Sequence, residues 1–242
     1  MNRARAGRFW LITAAAAVGI AATASLGAWQ LSRAAQKQGL QSAIEARKNL
    51  VALDNTGLSA IKSAADAVWQ PVALRGRWAP QHTVFLDNRQ MQAKPGFYVL
   101  TPLLLDGGGA VVVQRGWVQR NFSEREKLPA LDTPQGPVEV RGRIAPPPAK
   151  LYEFAAPAAG AIRQNLDLAA YAAQTGLPLR QDLSLQQTGP ASEGLLRDWP
   201  EVGSGTEKHY GYAFQWFALA GLIAILYVWF QFIAARGTAR HA

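Results

Sequence analysis

His209 is followed at offsets of three and seven by Tyr212 and Trp216. Two helical turns occupy about 7.2 residues, so a helix through these positions carries an imidazole, a phenol and an indole on one face. Far earlier, Trp29, Gln30 and Arg33 close an apolar run, while His209 stands just before another. If both runs cross a membrane as antiparallel helices, the end of the first lies beside the start of the second. An imidazole above an aromatic wall suits a large planar apolar ligand with an acidic edge. His209 can ligate iron, Tyr212, Trp216 and Trp29 can pack a macrocycle, and Arg33 or Lys208 can pair with its carboxylates. Haem is the natural candidate, in a pocket made by both helices. Residue chemistry alone favours a simpler reading, in which His209 caps the membrane surface and the aromatics form an anchoring belt. His82, in a strand turn, and His241, in the tail, read as surface residues.

Other chemistries are poorly supplied. Cysteine is absent, which excludes disulfides, thiolate metal sites, C-x-x-C-H haem attachment and thiol redox chemistry. With Met1 and Met91 the only methionines, soft copper ligands are missing and copper delivery is disfavoured. No G-x-S-x-G elbow, H-E-x-x-H pair or Walker loop occurs, so catalysis has no advertised site, and a periplasmic enzyme would need a water-accessible pocket with converging polar groups. Asp87 and Asp182 are not paired by spacing and default to solvated surface. Gly203-Ser204-Gly205 lacks a preceding apolar strand and reads as flexible linker rather than phosphate loop. The formal charge is +9, but the basic residues are scattered rather than clustered with stacking aromatics, which argues against a nucleic-acid partner.

The elements that would position His209 are two charge-free runs, residues 9–32 and 210–235. Each exceeds the roughly 20 residues a helix needs to cross a hydrocarbon core. Phe9, Trp10 and Trp29 bracket the first, and Tyr210, Tyr212, Trp216, Tyr227 and Trp229 bracket the second, as interfacial aromatics do. A cleaved signal peptide is the competing reading of the first run, because Ala22-Thr23-Ala24 resembles a cleavage site, but the apolar stretch continues well past it. Arg3, Arg5 and Arg8 precede the first run and Arg236 and Arg240 follow the second, which places both tails in the cytoplasm. The expected layout is a cytoplasmic tail (1–8), a transmembrane helix (9–32), a periplasmic β-rich domain (33–209), a second transmembrane helix (210–235) and a cytoplasmic tail (236–242). That is a multi-pass protein of a bacterial inner membrane, with the lipid bilayer as a partner. The fold class is α+β, two transmembrane helices flanking a β-rich extracytoplasmic domain.

All 16 acidic residues lie between the two runs, as a water-exposed domain requires. Within it, residues 36–50 read as an amphipathic helix and 54–66 as weakly structured. Residues 72–78, 83–87, 98–105, 110–118 and 138–144 are rich in Val, Leu and aromatics and read as strands. Asp106-Gly107-Gly108-Gly109 between two of them predicts a hairpin turn. Asp167 as N-cap and Gly176-Leu177-Pro178 as stop predict a helix over 168–175, and 179–187 alternates as another strand. The strand core spans about 70–187, and 189–205 reads as a linker.

Five blocks then carry a resemblance. Gly27-Ala28-Trp29-Gln30-Leu31-Ser32-Arg33, Pro71-Val72-Ala73-Leu74-Arg75-Gly76, Gly96-Phe97-Tyr98-Val99-Leu100-Thr101-Pro102, Arg115-Gly116-Trp117-Val118 and His209-Tyr210-Gly211-Tyr212 with Gln215-Trp216-Phe217 occur in this order. They resemble the motifs of the Surf-one family, the surfeit-locus cytochrome c oxidase assembly factors, in a bacterial form. The chain departs from the family pattern at Gly160-Ala161-Ile162-Arg163-Gln164-Asn165, where relatives often carry aromatic and histidine residues. The resemblance implies a non-enzymatic chaperone of respiratory-chain biogenesis. It would help mature the haem a centres of the oxidase's large subunit, with haem A bound transiently and haem A synthase a candidate donor. It also implies His209 as the haem ligand and iron contact. Gly76 and Gly116 read as strand positions of close backbone approach. A scaffold that holds an oxidase subunit without touching haem is the alternative.

A reporter inserted near Gly108 is expected to behave as periplasmic, and one fused after Ala242 as cytoplasmic. A cytoplasmic signal from the Gly108 fusion would contradict the two-span layout.

Overall fold

The computed structural model describes residues 3–121, 123–124, 128–152, 160–200 and 205–233. The arginines at 236 and 240, His241, and residues 203 and 204 of the expected linker lie outside these. The chain divides into two compact units, a helical one drawn from Met1–Ala43 with Val202–Ala242, and a β-rich one, Ile44–Glu201.

The first helix, α1 (Arg3–Lys48), is a single 46-residue element, about 69 Å long at 1.5 Å per residue. It has no proline to break it, so the expected helix over 36–50 is its uninterrupted continuation. It ends where the Asn49 amide donates to the Glu45 carbonyl at 3.0 Å. The last helix, α5 (Thr206–Val228), passes into a π-helical turn, Trp229–Ile233. Both contain segments long and apolar enough to cross a membrane, and only 6% of either apolar window is buried. A core helix of a soluble protein would hide that surface.

The segment expected to be weakly structured instead forms two short helices, α2 (Asn55–Ala60) and α3 (Ala64–Ala67). Asp54 caps α2 by accepting the Gly57 amide at 2.7 Å. Asn55 ties α2 to the sheet, accepting from the Arg75 amide and donating to the carbonyls of Arg75 and Asp106.

The strands are β1 (Pro71–Trp78), β2 (Val84–Met91), β3 (Lys94–Leu105), β4 (Ala110–Gln119), β5 (Pro137–Ala145), β6 (Ile162–Arg163) and β7 (Ser184–Gln187). They run in the order β1-β5-β7-β4-β3-β2-β6, with β1 pairing also to β3. That extra pairing closes β1, β5, β7, β4 and β3 into a small barrel, and β2 and β6 extend outward from β3. Closure is possible because β3 is long: its last residues, Leu103 to Leu105, pair with β1, while the stretch from Lys94 to Leu100 pairs with β2. The turn between β3 and β4 carries Gly107, Gly108 and Gly109 at φ of 94°, 108° and 80°, the left-handed region that favours glycine.

Val111, Val112 and Val113 are all fully buried because β4 is covered on both faces. Val111 and Val113 join Leu74, Leu103, Ile144 and Leu185 inside the barrel. Val112 packs outward with Val84, Leu86 and Leu100 against α4 (Leu168–Thr175) through Leu168, Tyr171 and Ala172. Asp167 caps α4 as expected, accepting the Ala169 and Ala170 amides at 3.1 Å. The Ala170 amide, with Lys150 at 3.0 Å, holds the Asp167 carboxyl below its usual range. Burial pushes the Tyr171 phenol up to about 12, so it stays a donor, to the His82 carbonyl.

Two further expectations are modified. The strand over 179–187 contracts to β7, with Leu179 making only an isolated bridge to Ala110. Between them Arg180 turns to grip Asp182 through two hydrogen bonds, at 2.9 and 2.8 Å. The stretch read as a linker is packed down as far as it is described: Leu195 and Trp199 are buried, and Leu196 exchanges backbone hydrogen bonds with Trp117.

Arg115 explains that packing. The β3–β4 register jumps from Val99↔Gly116 to Leu100↔Gln114, which leaves Arg115 as the extra residue of a bulge and re-aims its side chain. The side chain is 0% exposed. Its guanidinium donates to Thr133 Oγ1 at 2.7 Å and Glu193 Oε2 at 2.9 Å, and lies over the Trp78 ring at 4.8 Å. Gly116 lets the return segment approach, since a Cβ there would meet Leu195 Cβ and the Leu196 carbonyl, each at 2.7 Å.

Glu193→Gln keeps the shape but removes the counter-charge from a buried cation, so it is expected to destabilise the protein by about 3 kcal/mol in denaturant unfolding followed by circular dichroism. A loss below about 1 kcal/mol would mean that the neutral oxygens around Arg115 suffice.

Candidate functional site

In the helical unit, α1 and α5 pack antiparallel along a ladder of contacts. Thr13 Oγ1 and the Tyr227 hydroxyl are 2.8 Å apart, Gly19 faces Ile223, and Gly27 faces Phe217. A Cβ on Gly27 would sit 2.8 Å from the Phe217 ring, so the glycine of the Gly-Ala-Trp-Gln block admits an aromatic ring to the helix surface. Ala213 and Ala220 are buried on the same stripe of α5. Small residues that let helices approach are a main source of helix association in lipid, where no hydrophobic drive separates helix from solvent.

The ladder continues to His209, whose Nδ1 lies 2.7 Å from Gln30 Oε1. An amide oxygen only accepts, so in this pairing Nδ1–H is the donor and Nε2 is the ring nitrogen left outside it. Nε2 has no hydrogen-bond partner among the described residues. From the next position, the Tyr210 hydroxyl reaches Gln38 Oε1, about two turns along α1 from Gln30, at 3.5 Å.

The other candidates are divided. Arg33 stacks over the Trp29 ring at 5.7 Å and donates to Gln36 at 3.2 Å. Trp29 and Tyr212 are each 52% exposed, and Trp216 is half-buried. The recorded contact of His209 is with Gln30, one position from Trp29 and so about 100° around the helix. Phe217 closes on Gly27, so the two helices touch at that rung of the ladder. His82 is half-buried, and Tyr171 binds its backbone carbonyl.

Two features went unread in the sequence. The buried Arg115 could have been suspected from a lone cation inside the run Val111-Val112-Val113-Gln114-Arg115-Gly116-Trp117. Arg89, only 7% exposed, carries no comparable signal, because its burial depends on residues 149 and 164, which accept from Nη2.

A β-rich domain set in sequence between two apolar helices of spanning length is the class defined by this architecture. The sequence model of the SURF1 family matches residues 17–221. A SURF1-like protein of Rickettsia bellii is 26% identical over 223 residues, covering 88% of each chain. One of Rickettsia prowazekii is 25% identical over 216 residues, 84% of this chain and 83% of that one. An uncharacterized SURF1-like protein of Mycobacterium bovis is 27% identical over 176 residues, 72% of this chain and 65% of that one. The chain belongs to the SURF1 family.

Gly27→Leu is expected to push the helices apart. With no native cysteine to interfere, spin labels on Val18→Cys and Leu222→Cys should report a longer, broader distance distribution than in the Gly27 protein. An unchanged distribution would show that Phe217 can turn aside and that the glycine is dispensable.

Proposed function

We propose that this protein is a membrane-anchored, non-enzymatic assembly factor for cytochrome c oxidase that holds haem A at His209 for insertion into the large subunit. It sits in a bacterial inner membrane with both termini cytoplasmic and the β-rich domain periplasmic, and haem A synthase is the candidate donor. The observation that carries the haem reading is the 2.7 Å contact of His209 Nδ1 with Gln30 Oε1. Metal-ligating histidines commonly donate their second ring N–H to an oxygen, which fixes the tautomer and the ring's orientation.

Haem A, when bound, supplies iron for axial ligation and two acidic side arms. Gln30 aims the His209 ring, Trp29 and Tyr212 offer exposed aromatic surface, and Arg33, held over Trp29, supplies a cation for a carboxylate. Exposed aromatic surface suits transfer, since a carrier that buried its cargo would release it slowly.

In protein purified from cells that make haem A, His209→Ala is expected to remove or shift the Soret band without impairing membrane insertion. Gln30→Leu should shift it less, and Arg33→Ala should lower haem content modestly, since a hydrated charge pair is worth about 1 kcal/mol or less. Unchanged haem content and spectrum in His209→Ala would overturn the haem reading and leave the scaffold reading in its place.

A further inference from the structure

A cavity of about 160 Å³ lies within the β-rich unit, lined by Leu86, Arg89, Tyr98, Gln114, Ala145 and the Pro146-Pro147-Pro148 run, among others. Its walls are fixed by hydrogen bonds. Gln114 Nε2 donates to Ser184 Oγ at 2.8 Å, and that hydroxyl donates to the Pro146 carbonyl at 2.7 Å, so the proline wall is tied to β4 and β7.

Arg89 is a buried cation with no anionic partner among the described residues. Nη2 donates to the carbonyls of Ala149 and Gln164 at 2.8 and 3.0 Å, both neutral acceptors. Nε is shut off from solvent without a partner, and Nη1 has none among the described residues. No acidic side chain among the described residues lines the cavity. Arg115, another buried guanidinium, has Glu193 at 2.9 Å. Leaving a buried charge uncompensated is costly, and burial accordingly lowers the Arg89 pKa.

Tyr98 stands beside it, with the Arg89 guanidinium 6.0 Å from the ring centre. Burial raises the phenol's pKa and Arg89 only partly offsets this, so the group remains a donor at neutral pH. Its hydroxyl has no hydrogen-bond partner among the described residues. The cavity therefore offers one cation and one neutral O–H donor on a mostly apolar wall. An engineered cavity of about 150 Å³ accepts a molecule the size of benzene, which limits the occupant to a handful of heavy atoms.

We propose that this cavity binds a small carboxylate with a short apolar tail, its oxygens on Arg89 Nη1 and the Tyr98 hydroxyl and its tail against Leu86, Ala145 and the prolines. The carboxylate supplies the counter-charge that no described residue gives Arg89. Occupancy would also tie β2 to the 145–149 segment.

The test uses the full-length protein in detergent. Sodium propionate is titrated by calorimetry, with sodium chloride at matched ionic strength as reference and inorganic phosphate as a second arm. Propionate is expected to bind saturably and to raise the unfolding midpoint, as any ligand of the native state does, while phosphate binds more weakly for want of a tail. Tyr98→Phe should weaken propionate about fivefold, the usual effect of one hydrogen bond, and Arg89→Gln should abolish binding. If Arg89→Gln fails to fold because the Ala149 and Gln164 carbonyls lose their donor, Tyr98→Phe decides. A propionate response no larger than chloride's, phosphate binding as tightly as propionate, or unaltered affinity in Tyr98→Phe overturns the proposal.

Discussion

Burying a guanidinium is among the most expensive things a fold can do, with an effective penalty of several kcal/mol even after relaxation. The β-rich unit is organised around one such group, Arg115. The bulge in β4 turns it inward, and its partners come from separate parts of the chain: Thr101 on β3, Asp132 and Thr133 before β5, Glu193 on the return segment, and the Trp78 ring on β1. Arg197 strengthens the arrangement by donating Nε to the Arg115 carbonyl at 2.9 Å. Burial lowers the Arg197 pKa, and Glu193 works against that shift. The desolvation cost is recovered only when all these groups are in place, so the loops holding them cannot leave the barrel one at a time.

A second buried arginine shows the opposite arrangement. Arg89 is held by carbonyls, stands beside a phenol and has no carboxylate within the described structure. Position explains the difference. Arg115 sits where two loops converge and one can deliver a glutamate, whereas Arg89 sits where a proline run, which offers no side-chain charge, closes the space. A paired buried cation knits a fold together, while an unpaired one at a cavity creates an affinity for something outside the chain.

The helical unit obeys different rules because its surroundings are apolar. Its contacts are close approach at Gly19 and Gly27 and a few polar pairs, Thr13 with Tyr227 and Gln30 with His209. Polar side chains near a bilayer are costly and tend to be placed for a purpose. The Gln30–His209 pair engages one imidazole nitrogen and leaves the other outside the contact. Membership of the SURF1 family, matched over residues 17–221, sets this arrangement in the context of oxidase assembly.

The sequence by itself determined what depends on neighbours in the chain. The charge-free runs, the glycine turn at Gly107 to Gly109, the Asp167 cap and Gly176 stop, and five of the strands are local patterns of period, φ preference and capping, and each is legible within one continuous stretch of chain. The face shared by His209, Tyr212 and Trp216 was legible for the same reason, because helical spacing is local arithmetic. Tertiary structure alone decided the closure of β1 onto β3, the packing of residues 190–199 onto the sheet, the fates of Arg89 and Arg115, and the choice of Gln30 for His209. Each of these joins residues far apart in the chain, 179 positions for Gln30 and His209 and 78 for Arg115 and Glu193. Whether a polar group is buried, and who satisfies it, is a property of three-dimensional neighbours, which composition and spacing do not encode.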